Sequence, residues 1–151
     1  MDTTKQPGIQ IDQIILLEAH FAHNKNALTL PTSTRVNLQF HIQVKVAGKA
    51  GGRTAILGVR AETVDQPDNP YNVIAEVAMI VSAIEGEENL DPYEYVNAMG
   101  PAAVYPFVRE AIASLTMKGR FGALWLKPLN FTAPQVVLAE TSPVLAEPAQ
   151  T

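Results

Sequence analysis

The chain has 151 residues, of which 47% are hydrophobic and 17% charged, and a net charge of −4. That balance fits one globular domain, large enough to bury roughly 70% of its unfolded surface, and excludes a disordered chain. The net acidity argues against nucleic acid as the main partner, and the absence of cysteine excludes disulfides and thiolate metal sites. The start, MDTTKQPGIQ, lacks the basic and apolar regions of a signal peptide, and the early apolar run Ile14 to Leu17 is too short to span a bilayer. The expectation is a soluble, cytoplasmic protein with no membrane insertion.

Residues 1–8 carry no periodicity and read as a disordered N-terminus. From Ile9 to Phe21 the odd positions Ile9, Ile11, Ile15, Leu17, Ala19 and Phe21 form one apolar strand face. Ile14 and Leu16 fall on the opposite face, beside Asp12, Glu18 and His20. The loop 24–34 is longer than a hairpin needs and is expected to cross the sheet. "RVNLQFHIQVKV", residues 35–46, alternates without fault: Val36, Leu38, Phe40, Ile42, Val44 and Val46 face inward, and polar residues lie between them. The glycines of "AGKAGG" make a turn. A strand then runs from Arg53 to about Val64 with Ala55, Leu57, Val59 and Ala61 inward, and "DQPDNP" turns the chain again. Tyr71 to Ala83 is a further strand, with Val73, Ala75, Val77, Met79 and Val81 on one face and Ile74, Glu76 and Ile80 on the other. Short turns between the last three strands predict an antiparallel meander, and the first strand makes the sheet four-stranded.

The period then changes. "DPYE" predicts a helix start, with Asp91 as cap and Pro92 in the first turn. Gly100 and Pro101 are expected to break or kink the helix, and Lys118-Gly119 to end it. Residues 132–151 contain prolines and no base, and are expected to form a flexible tail with little regular structure. The fold class is therefore α+β, a sheet followed by one long, kinked helix.

That helix has two apolar sides. Val104, Val108, Ala111 and Leu115 line one; Phe107, Ile112 and Met117 spread to a second, leaving a narrow polar strip of Arg109, Glu110, Ser114 and Lys118. One side can cover the sheet. Each Leu or Phe left wet forgoes roughly 1.5–3 kcal/mol, so another copy of the chain is the simplest cover for the other. The expectation is an oligomer with helices at its centre.

Catalytic chemistry is sparse. His20 and His23, three apart on a strand, point to opposite faces and make a poor metal pair; His41 sits on a wet face. "GKAGGR" lacks the spacing of a phosphate loop, and Arg109-Glu110 read as helix surface. No catalytic residue, metal site or cofactor is expected. The unusual property is apolar surface at Ile14, Leu16, Ile74, Ile80, Leu28 and Leu30, suited to subunit packing or to holding unfolded chain.

"PAAVYPFVREAIASLTMKGRFGALWLKPLNF", residues 101–131, resembles the SecB export-chaperone family, which has a comparable run of Pro, aromatic-Pro, aromatic, Arg-Glu, then Gly, aromatic and a Leu-rich Pro-Asn-Phe ending. With the strands before it, the likeness covers 9–131, the chaperone domain. The resemblance implies an ATP-independent holdase for unfolded preproteins and a homotetramer, a dimer of dimers. It also implies delivery to the SecA motor. The client-binding set it implies here is Ile14, Leu16, Leu28, Leu30, Phe107 and Phe131. Glu18 and Glu76 occupy two of three acidic positions for SecA, with Ile74 a neighbouring apolar one; the third falls at Ala22. Subunit contacts are expected at Val73, Ala75, Val77, Met79, Val108, Ile112 and Leu115. The family's second helix and SecA-touching tail are replaced by "TAPQVVLAETSPVLAEPAQT".

Two alternatives stand beside this. Some SecB-like proteins guard the antitoxin of a toxin–antitoxin pair. A hot-dog thioesterase also joins a long helix to an antiparallel sheet, but there the helix comes early and most strands come after it.

Overall fold

The computed structural model describes residues 5–6, 8–84, 91–129, 131 and 135–141. They form one antiparallel sheet of seven strands, in the order β1-β2-β5-β4-β3-β7-β6, and one long helix. The strands are β1 (Lys5–Gln6), β2 (Ile9–His23), β3 (Asn37–Ala47), β4 (Thr54–Thr63), β5 (Tyr71–Ala83), β6 (Leu124–Leu126) and β7 (Gln135–Thr141). The helix α1 is Pro92–Thr116, and a 3₁₀ turn, Lys25–Leu28, comes after β2. β2 and β3 are separated by β5 and β4, so the connection between them crosses the sheet as its length predicts.

The sheet therefore exceeds the expected four strands. β6 and β7 come after the helix and add to the free edge of β3. β7 lies within 132–151, where little regular structure is expected, and β1 within 1–8; apart from Gly8, the remainder of both segments lies outside the described residues. β7 is anchored at its end by Thr141, whose hydroxyl accepts the Val36 N–H at 3.1 Å and whose N–H donates to the Val36 carbonyl at 3.0 Å.

Alternation decides the core. Leu38, Phe40, Ile42, Ala55, Leu57, Val59, Ala61, Val73, Ala75, Val77, Met79 and Val81 are all buried. α1 lies across β4 and β5 on that face. Its start is fixed by Asp91: Oδ1 accepts the Tyr93 N–H at 3.1 Å and Oδ2 the Gly51 N–H at 2.9 Å, tying the β3–β4 turn to the helix. Gly100 and Pro101 do not break the helix. Proline at 101 and 106 removes the N–H partners of the Asn97 and Ala102 carbonyls, and both residues are exposed, so water can take those acceptors.

The second apolar side of α1 is partly covered by its own chain. The segment after the helix folds back: the Tyr105 hydroxyl donates to the Lys127 carbonyl at 2.6 Å, and Arg109 Nε to the Leu126 carbonyl at 2.9 Å. Gly119 serves a close approach rather than a left-handed stop. A Cβ there would lie 2.5 Å from the Tyr71 hydroxyl and 2.7 Å from Phe21, while the positive φ of 85° belongs to Gly122.

Candidate functional site

β2 does not keep strict alternation. Its register against β5 slips between Ile11 and Gln13 and again between Leu16 and Glu18, leaving Asp12 and Leu17 without a partner. Each extra residue inverts the faces of the strand beyond it. Ile14 pairs with Met79, Leu16 with Val77, Ala19 with Ala75 and Phe21 with Val73, so all four stand on the helix face. Ile15 pairs with Ala78 on the outer face. This corrects the odd-position reading, which placed Ile15 and Leu17 with the core and Ile14 and Leu16 opposite. The doublets Ile14-Ile15 and Leu16-Leu17 are the signal: two consecutive apolar pairs do not fit a single face.

The bulges make a groove. Ile14, Leu16, Ala19 and Val77 form its floor, Phe107, Ala111 and Leu115 of α1 its wall, and it encloses about 370 Å³. Leu16 is 54% and Phe107 46% exposed, so the groove is apolar and open. Its rim is polar where Ser114 donates to Glu110 Oε2 at 2.7 Å.

Of the residues singled out for clients, the structure brings Ile14, Leu16 and Phe107 together here. Leu28 and Leu30 lie apart, on the crossing connection, and Phe131 packs against Tyr105 with ring centroids 5.3 Å apart. Of those singled out for subunit contacts, Val73, Ala75, Val77, Met79, Val108 and Ile112 are buried within the single chain, between sheet and helix. Leu115 alone of that set is partly exposed, in the groove.

The outer sheet face carries the acids. Glu18 pairs with Glu76 across β2 and β5, and Arg60 pairs with Glu76 across β4 and β5. The Arg60 guanidinium bonds the Glu18 carboxylate, lies 3.2 Å from Glu76 Oε1 and 3.5 Å from Glu62 Oε1. These carboxylates, Glu18 first, raise the already high Arg60 pKa. Gly58 leaves room for the arrangement, since a Cβ there would sit 3.3 Å from Glu76 Oε2. Ile74 stands next along, paired with His20 on one side and Glu62 on the other; Ala22 faces Asn72. Sequence reading missed Arg60, although it is the sole cation of β4.

Two tyrosines are held deep. Burial pushes the Tyr105 hydroxyl up to about 12 and raises that of Tyr71. Arg109 and Glu110 hold structural partners, the Leu126 carbonyl and the Ser114 hydroxyl. Among the described residues no group of three His, Asp or Glu side chains is placed to hold a metal ion, and no helix is long and apolar enough to cross a membrane.

The family model for preprotein translocase subunit SecB matches residues 2–135. The protein-export protein SecB of Pseudomonas aeruginosa is 26% identical over 132 residues, covering 85% of this chain and 80% of that protein. The corresponding protein of Haemophilus ducreyi is 30% identical over 131 residues, covering 83% and 74%. Among solved structures, a SecB-like chaperone of Mycobacterium tuberculosis, in complex with a ChAD peptide from an antitoxin, matches with a TM-score of 0.61 at 19% identity, over 82% of this chain and 91% of that one. With a family match running from residue 2 through the helix to the start of β7, the chain belongs to the SecB family.

Proposed function

We propose that this chain is an ATP-independent holdase that keeps unfolded preproteins from aggregating and supports their export through the Sec pathway in the cytoplasm. Family membership already makes it a chaperone rather than an enzyme. The observation that carries the finer reading is the open groove of Ile14, Leu16 and Phe107. An extended client can lay apolar side chains into it, between β2 and α1.

The edge of β2 suggests the assembly. Among the described residues, β1 pairs only with Ile9 and Gln10, and β2 has no neighbour on that side from Ile11 to His23. A long, unpaired, apolar edge is a pairing hazard for a monomer. Pairing of two β2 edges would continue the sheet and set two grooves side by side, and two such dimers make the tetramer. Glu18, Ile74 and Glu76 on the outer face remain the proposed SecA contact.

The holdase test is suppression of aggregation of a slow-folding preprotein, with and without ATP. Equal suppression in both is expected, together with its loss in Leu16→Asp/Phe107→Asp. Aggregation unchanged by excess wild-type protein would end the reading. A second reading, guarding of an antitoxin, is favoured by one feature: Arg60 already occupies the acids that SecA would need, and Ala22 supplies none. Calorimetry of SecA against this protein separates the two.

A further inference from the structure

A second cleft, of opposite character, lies where β2 ends beneath the C-terminus of α1. His23, Asn24, Lys25, Leu28, Lys118 and Arg120 line a space of about 500 Å³. The chain as a whole is acidic, at −4. Elsewhere Arg60 is held by three glutamates and Lys127 by Glu140. Lys25, Lys118 and Arg120 have no ion pair among the described residues. The helix C-terminus supplies about half a negative charge, which three cations outweigh.

The walls are fixed rather than adaptable. The Asn24 N–H donates to the Pro70 carbonyl at 2.9 Å, and its side-chain amide to the Asn69 carbonyl at 2.7 Å. His23 Nε2 accepts the Arg120 N–H at 3.0 Å, which puts the ring proton on Nδ1, a donor without a partner among the described residues. Arg120 Nη2 donates to the Leu30 carbonyl at 2.9 Å, and its guanidinium lies 5.9 Å from the Phe121 ring centroid. The remaining edge of that fork has no partner among the described residues. Lys25 and Leu28 are three apart on a 3₁₀ turn, where such positions eclipse, so a cation and a 75% exposed leucine project together.

We infer that this cleft binds a carboxylate of an extended acidic peptide whose neighbouring residue is apolar. The inference rests on the holdase reading and names a client feature for it. The Arg120 fork matches a carboxylate, Lys25 and Lys118 add point charges, and Leu28 takes the apolar neighbour. A nucleic acid would leave Leu28 unused and meet the acidic remainder of the surface.

The test uses two short fluorescent peptides, one alternating leucine with glutamate and the other with glutamine in place of each glutamate. Fluorescence anisotropy is read on the full chain and on Lys25→Glu/Lys118→Glu, both exposed positions. The wild type should bind the glutamate peptide about tenfold more tightly than the glutamine one at low salt, and high salt should erase the difference. The double variant should lose the preference but keep its affinity for the glutamine peptide. Equal binding of both peptides by the wild type, or a preference that survives in the variant, overturns the inference and leaves the holdase reading intact. Binding of neither peptide overturns it as well, and aggregation suppression by the same preparation then decides whether the holdase reading falls with it.

Discussion

Tyr71→Phe removes a single oxygen from a fully buried ring. Tyr71 is fully buried, and its ring stands edge-on to Phe21 at 4.9 Å and to His23 at 5.4 Å. Its hydroxyl accepts the Phe121 N–H at 2.8 Å and donates to the Gly122 carbonyl at 3.1 Å, pinning the turn after α1. Phe keeps the ring contacts. The Phe121 N–H is buried and loses its acceptor, at a cost of about 1–3 kcal/mol, whereas the half-buried Gly122 carbonyl can find water. A net loss of about 2 kcal/mol is a large part of a typical stability of about 5–15 kcal/mol. At about 2–4 °C per kcal/mol for a chain of this size, Tm should fall by roughly 4–8 °C. Circular dichroism with urea should show a lower midpoint at unchanged m. Gly119→Ala on its own should cost at least as much, because its Cβ would meet the Tyr71 hydroxyl at 2.5 Å. In the Tyr71→Phe background part of that clash is gone, so the two losses should sum to more than the double variant shows. A Tyr71→Phe loss below about 0.5 kcal/mol would refute the reasoning, since no such buried N–H could then have been orphaned.

Arg60→Ala should leave Glu18 and Glu76 facing each other without their cation, lowering stability by about 1 kcal/mol in urea titrations and strengthening association with a basic partner at low salt. Gly100→Val should destabilise by about 2 kcal/mol or more in the same assay, because even a Cβ would lie 2.8 Å from Leu57 Cδ1 and Leu57 is fully buried. Tyr105 sets an alkaline limit. Its folded pKa, about 12, lies above the unfolded value near 10, so its contribution is complete below pH ~10 and is lost as pH rises toward 12. Of the order of 1–2 kcal/mol should disappear over that window, after a discount for water at the neighbouring half-exposed Phe131, and Tyr105→Phe should flatten this limb of the Tm profile.

How much of this the sequence disclosed depended on the period. Residues 36–42 alternate without fault, and Val36, Leu38, Phe40 and Ile42 are all buried, because one strand face meets the helix and the other meets water. β2 carries its apolar residues in doublets, and a doublet is equally consistent with a two-sided strand or a bulged one; only the pairing with β5 tells them apart. Thus Ile14 and Leu16 were legible as surplus apolar surface but not as the floor of a groove under Phe107. The cover of the helix's second side was hidden for another reason. β6 has three residues, too few to show a period, and prolines surround β7. Those short strands gain their stability from the edge of β3 and from Tyr105 and Arg109, contacts far apart in sequence. The cationic cleft was illegible for the same reason, since Lys25 and Arg120 meet only after the chain has crossed the sheet twice.

The central claim is that the groove between β2 and α1 holds unfolded chain. Hydrogen exchange read by mass spectrometry, on the protein alone and saturated with an unfolded preprotein, reports on that surface directly. Protection should appear in the groove segments, β2 from Ile14 to Ala19 and α1 around Phe107 to Leu115, and both signals should vanish in Leu16→Asp/Phe107→Asp. Client-dependent protection confined to other strands, with these two segments unchanged, would contradict the account.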